Sequence, residues 1–248
     1  MDDRKPLGIK NYGSIPHMNE SRLGPSDSKI GLQQELHGTG KLRRGDMVIV
    51  TEKIDGSNVG VARVNGEIIP LTRAGYVAST SPYKMHHIFY DWAVEQRARF
   101  LSMIEDGERV VGEWCIQAHG TIYAFPREPF FLFDIFNAAN HRLTYAEMLA
   151  KNSTAGLPIP NLIHRSQTDG ITVTDFLRDY PANGYHGADE CEGAVWRLET
   201  NMRFNFIMKF VKPWKEDGKY LDREIYNAWV AHSAVLDTIQ TSAGGAAP

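Results

Sequence analysis

The chain has 248 residues, 42% of them hydrophobic and 23% charged, with a formal net charge of −3; this suits one large core and argues against wholesale coating of nucleic acid. No apolar run approaches the roughly 20 residues of a membrane span, and the opening MDDRKPLGIK lacks the apolar region of a signal peptide. Two cysteines, Cys115 and Cys191, are too few for a disulfide framework and lack metal-ligand spacing, so a cytoplasmic protein with no membrane partner is expected.

Residues 1–40 are rich in Gly, Pro, Ser and Asn and read as an irregular segment with room for one short helix. A basic cluster, Lys41, Arg43 and Arg44, precedes the strand DMVIVT, which begins at Asp46. NVGVARV and EIIPLT follow as a hairpin, because Asn65-Gly66 separates two alternating runs; Pro70 places the second arm at a sheet edge. From Tyr83 to Glu105 apolar residues recur at helical spacing (Ile88, Phe89, Trp92, Ala93, Phe100, Met103), and Gly107 stops the pattern. Strands RVVGEWCI and FFLFDIF come next, with Phe131 and Phe133 on one face and Leu132 on the other. Thr144 with Glu147 signals a capping box and a short helix. IPNLIHR reads as a strand and TVTDFLRDY as a helix. EGAVWRL and RFNFIMKFV read as strands joined by a turn at Thr200-Asn201. Pro213 ends the last strand within a second basic cluster, Lys209, Lys212, Lys215 and Lys219; residues 222–239 then read as a closing helix, and 241–248 as a fraying tail. Strand runs with helices packed outside give an α+β class, with antiparallel β-sheets flanked by helices.

One junction carries chemistry. TEKIDGSN, residues 51–58, lies where one strand ends and the next begins. A lysine there is either part of a solvated turn or a nucleophile. As a nucleophile it must lose its proton, so the flanking acids Glu52 and Asp55 need work elsewhere, on a metal or a ribose hydroxyl. Gly56 allows a tight turn and close approach of a ligand. The adjacent His86-His87 pair cannot share a helix face and is read as structural rather than metal-binding.

Downstream of KIDG come, in order, Arg73 in LTRAGY, Glu113 in VVGEWC, Phe133 and Asp134 in FFLFDIF, Glu192 in EGAVWRL, and Lys209 and Lys212 in FIMKFVKP. The ordered set resembles the motifs of the covalent nucleotidyltransferases (ligases and mRNA capping enzymes), and most of all the RNA ligase 2 branch of ATP-dependent RNA ligases. It covers Lys53 to Lys212. The resemblance implies the nucleotidyltransferase, ATP-grasp-like adenylation fold over residues 41–240, with ATP and Mg2+ or Mn2+ as cofactors. It implies that Lys53 attacks the α-phosphate of ATP, Arg73 touches phosphate, Glu113 holds the ribose and Phe133 stacks on adenine. Glu192 would hold the metal, and Lys209 and Lys212 would neutralise the triphosphate. Glu52 would meet the adenine edge, Asp55 would belong to the same cofactor site, and Asn58 would serve the sealing step.

The implied partner is RNA with 5′-phosphate and 3′-hydroxyl ends. About 36 residues after Lys212 leave no room for an oligonucleotide-binding barrel, so an accessory partner would help to hold the ends. The family pattern separates its last two lysines by one residue. Here the separation is two, and strand alternation puts Lys212 on the face opposite Lys209 unless a bulge re-aims it. Two alternatives stay open: a DNA ligase or capping-type enzyme, against which Asn58 and the missing barrel argue, and a non-catalytic nucleotide- or RNA-binding module.

Overall fold

The computed structural model describes residues 5–180, 190–215 and 227–229. Its elements in chain order are α1 (Leu32–Thr39), β1 (Asp46–Lys53), β2 (Ser57–Val64), β3 (Glu67–Thr72), α2 (Lys84–Glu95), α3 (Arg97–Leu101), β4 (Arg109–Trp114), β5 (Ala124–Phe125), β6 (Phe130–Phe136), α4 (Tyr145–Ala155), β7 (Leu162–Ser166), α5 (Val173–Asp179), β8 (Gly193–Thr200), β9 (Arg203–Val211) and β10 (Ala228–Trp229). Two four-stranded antiparallel sheets dominate, ordered β7-β1-β8-β9 and β3-β2-β4-β6. The fold is α+β, as the pattern of strands and helices predicts.

Local chemistry accounts for the joints. Asn65 and Gly66 both have positive φ (52° and 80°), which a two-residue turn matched to strand twist requires. The β8–β9 turn uses Asn201 and Met202 in the same region (φ 51° and 59°), one residue later than Thr200-Asn201. Pro70 lies on β3, an edge strand. Thr144 and Glu147 form the expected capping box at α4, and Thr172 with Asp175 forms another at α5. The helix expected over 83–105 is two helices, because Gln96 (φ −84°, ψ 12°) leaves the helical path between α2 and α3. Residues 228–229 are extended and pair in parallel with β5, contrary to a closing helix there. Residues 222–226 and 230–239, Lys219 and the tail lie outside the described residues.

Alternation gives each sheet an apolar outer face. Val59, Val61, Val110, Trp114, Phe130 and Leu132 pack with Phe89, Trp92 and Phe100. On the other sheet Val50, Trp196, Leu198, Met208 and Phe210 pack with Met18, Val173 and Phe176. The remaining faces carry the polar residues, and side chains from both converge on one pocket.

The N-terminal segment ties the two sheets together. Met18 N–H donates to the Lys209 carbonyl (2.8 Å) and Lys209 N–H to the Pro16 carbonyl (3.0 Å), which covers the β9 edge. Six residues earlier, Tyr12 N–H reaches the Arg73 carbonyl beyond β3. Asn11 lies against Gly60, where a Cβ would fall 2.4 Å from its Oδ1; only glycine admits the strap so close. Among the described residues, no helix is long and apolar enough to cross a membrane.

Candidate active site

The pocket is built from cross-strand rows. Thr51, Val195 and Lys209 are successive partners across β1, β8 and β9, and Ile49, Arg197 and Ile207 form the next row. All six line the pocket. Lys53 ends β1 opposite Gly193, so Glu192 stands beside it. Lys53 Nζ donates to Glu192 Oε2 at 2.5 Å, with Glu192 1% exposed. Lys212 shares the face of Met208 and Phe210. It is buried there and donates to Glu190 at 2.7 Å, outside the pocket. No bulge occurs between 209 and 212 to re-aim it; the ladder shifts only at Leu198/Glu199.

From the second sheet come Asn58 and Glu113, a cross-strand pair on β2 and β4. The β4–β6 ladder shifts between Val111 and Gly112, which pair with Asp134 and Leu132 and leave Phe133 as the extra residue. Strict alternation would send Asp134 into the core; instead both Phe133 and Asp134 line the pocket. Phe131 lies instead in a small buried cluster with Ile54, Cys115, Tyr123 and Phe125. Arg73, exposed, lines the rim and donates to Ser14 Oγ at 3.1 Å.

Glu52 is 1% exposed. Its Oε2 accepts from Asn161 (2.7 Å) and Tyr180 OH (2.8 Å), and burial together with Glu52 pushes the Tyr180 phenol well up. Its Oε1 has no partner among the described residues, although Glu52 lines the pocket. A buried carboxylate oxygen left open costs stability unless a ligand donates to it. Asn58 Oδ1 is a second such acceptor. Asp55 does not line the pocket; it is buried and accepts from Gly120 N–H at 2.7 Å. Packing alone requires glycine at Gly56, since a Cβ would meet the Trp114 carbonyl at 2.7 Å.

Two pocket residues escape the sequence pattern. Tyr12, on the strap, donates to Asp134 at 2.7 Å and meets Phe133 edge-on with ring centroids 5.3 Å apart. Arg197 donates to Asp134 and Glu199, each at 2.6 Å; burial opposes its charge, but these carboxylates outweigh burial and hold it above the ordinary arginine value. Asp134 thus anchors the pocket's back wall.

The donor set suits a nucleoside triphosphate. Lys53, Lys209 and Arg73 bring cations to the lining, Phe133 offers an aromatic surface, and Glu52 and Asn58 offer open acceptors. No group of three or more His, Cys, Asp or Glu residues among those described could cage a metal. Glu192, paired with Lys53 beside the pocket rather than lining it, offers one carboxylate, which suits only a divalent ion held mainly by substrate phosphates and water, the usual arrangement for Mg2+.

The RNA ligase family model matches residues 46–211. Among solved structures, an archaeal ATP-dependent RNA ligase superposes with a TM-score of 0.50 at 21% identity, covering 81% of this chain and 48% of its own. A Naegleria gruberi RNA ligase variant with ATP and Mn gives 0.50 at 16% identity, covering 80% and 61%. The chain thus spans about half to three-fifths of those proteins, and the likeness is one of fold. No curated protein sequence matches it significantly.

Proposed function

The chain belongs to the RNA ligase family, and on that premise we propose that it is an ATP-dependent RNA ligase working through a covalent lysyl-adenylate. The observation that carries this reading is Lys53, held beside buried Glu192 at the mouth of a pocket whose open acceptors and cations match ATP.

Lys53 must first leave its ion pair and release a proton to solvent, because only a neutral amine has the lone pair that attacks. Its Nζ then bonds to the α-phosphorus as the bond to the bridging oxygen breaks and pyrophosphate leaves. Lys209 and Arg73 face the charge that develops on the leaving group. Glu113 takes the ribose, Phe133 stacks on adenine, and Glu52 Oε1 accepts from the exocyclic amine. Glu192 would hold a bound Mg2+ or Mn2+, which would supply neutralisation of phosphate charge. The adenylyl group next passes to the 5′-phosphate of an RNA end, which restores the Lys53 amine. A 3′-hydroxyl oxygen finally attacks that phosphate and displaces AMP, with Asn58 at the junction. Lys212 and Asp55 stand outside this scheme.

The catalytic unit is proposed to take in residues 41–240 together with the strap around Tyr12–Met18 that walls the pocket. Cys115 and Cys191 are both buried free thiols, which suits the reducing cytoplasm. The direct test is incubation with α-labelled ATP, and separately GTP, in the presence of magnesium. Label that survives denaturation, from ATP and not from GTP, supports the reading; no covalent label from either overturns it.

A further inference from the structure

A second cleft opens beside the nucleotide pocket and shares Asn58, Arg73 and Glu113 with it. Its outer wall is aromatic, made by Tyr76, Tyr83 and His86. Tyr76 is 41% exposed and Tyr83 58%. Exposed rings grouped along one groove, rather than scattered singly, mark an interaction surface.

The wall is held in place rather than loose. Thr72 N–H donates to the Tyr76 carbonyl and Gly75 N–H to the Thr72 carbonyl, both at 2.9 Å, which closes the loop carrying Tyr76. Tyr83 leads directly into α2 and meets His86 edge-on, at 5.7 Å and 89°. Ser81 fixes His86 through its Oγ (2.6 Å) and His87 through its carbonyl (2.6 Å). Burial and the neighbouring His87 lower the His86 imidazole below its ordinary value, so at neutral pH it brings no charge. The permanently charged side chains of the lining are Arg73 and Glu113, one of each sign, and Lys5 Nζ sits over the Tyr76 ring, 5.1 Å from its centroid. Charge within the lining is balanced, and the Tyr83 ring is the more exposed of the two tyrosine surfaces.

We infer that this cleft is a stacking subsite for the terminal nucleotides of an unpaired, hydroxyl-ended RNA strand, an assignment that rests on the ligase reading of the adjoining pocket. Bases present free faces to tyrosine only when they are unstacked and unpaired, so the preferred end is single-stranded rather than a nick in a duplex. The open Asn58 Oδ1, at the boundary of the two clefts, decides which end enters. An acceptor needs a donor; ribose hydroxyls donate and a phosphate dianion does not. The hydroxyl end thus lies against the pocket where the adenylated phosphate would be presented.

The test is fluorescence anisotropy with a short fluorescein-labelled oligoribonucleotide, single-stranded with a 3′-hydroxyl, single-stranded with a 3′-phosphate, or fully duplexed. Covalent labelling by ATP is measured on the same preparations. Tyr83→Ala and Tyr76→Ala should each weaken binding of the single-stranded hydroxyl oligonucleotide by between about fivefold and a hundredfold, the range for loss of one base–aromatic stack. Tyr83→Phe should restore it, since the ring face remains. ATP labelling should be unchanged in all three, because none of these residues lines the nucleotide pocket. Unaltered binding in both alanine variants, equal binding of the phosphate-ended strand, or tighter binding of the duplex would each overturn the inference. Failure of ATP labelling in the wild type, with tyrosine-dependent RNA binding intact, would instead sink the ligase reading and the placement of a reacting hydroxyl end with it, while stacking of unpaired RNA on the tyrosines would stand.

Discussion

Lys53 Nζ lies 2.5 Å from Glu192 Oε2, and the two residues are brought together across 139 positions of sequence by the β1–β8 ladder. The pair separates stability from chemistry. Lys53→Arg keeps a cation opposite the buried Glu192 carboxylate, so thermal stability should stay within about 1 kcal/mol of wild type. Arginine cannot release its proton to act as a nucleophile, so covalent labelling by ATP should fall by at least about a thousandfold. A melting curve and a labelling gel on one sample check both halves.

Phe133→Ala should weaken ATP use by about 1–3 kcal/mol, with only a modest loss of stability, because the ring lines the pocket. Phe131→Ala is the control. Phe131 is 2% exposed within the cluster around Tyr123, so its truncation should cost about 3–5 kcal/mol of stability. Nucleotide titration of the folded fraction distinguishes them; equal effects on ATP use would remove Phe133 from the base site.

Glu52→Gln keeps the shape of the side chain but replaces the charged acceptor facing the pocket. ATP labelling should fall by about 1.5–3 kcal/mol in apparent transition-state stabilisation, and the preference for ATP over GTP should shrink. Competition between differently labelled ATP and GTP reads that ratio directly.

Asp46 carries an acid-range signature. Burial by itself would raise its carboxyl, but hydrogen bonds from Thr200 and His37 and from the Arg43 N–H outweigh this, and the net shift is downward. A carboxyl lower in the folded state than in the unfolded chain contributes stability above the unfolded value of about 3.9, which is lost as pH falls through the folded value. Denaturant midpoints should therefore drop below about pH 4 in the wild type. Asp46→Asn should be less stable at pH 7 and show a flatter acid limb.

Alternation made most of this site legible in the sequence. Lys53, Asn58, Glu113 and Lys209 fall on the polar faces of strands whose apolar residues mark the core side, and the same rule puts Lys212 opposite Lys209. The rule by itself would send Asp134 to the core side, because the one-residue bulge at Phe133 that redirects it has no local marker. Tyr12 and Arg197 stayed hidden for a different reason. Each acts through Asp134, 122 and 63 positions away, and no periodicity within one element encodes such a contact. β5 is too short, at two residues, to show any period, and Gln96 breaks α2 from α3 without a glycine or proline. The strap read as irregular because its hydrogen bonds go to other strands.

That strap sets an order on folding. Val211 N–H donates to Ser21 Oγ across 190 positions, beside the Met18–Lys209 bond. Closing so long a loop carries an entropy cost that is met only after β8 and β9 have paired and offer an edge. The early segment of the chain must therefore wait for the late one. Until it docks, Tyr12 is absent from the wall, the β9 edge stands open to other chains, and Lys209 lacks its backbone anchors. Catalytic competence should be acquired as a slow final phase, well after the bulk of the secondary structure has formed.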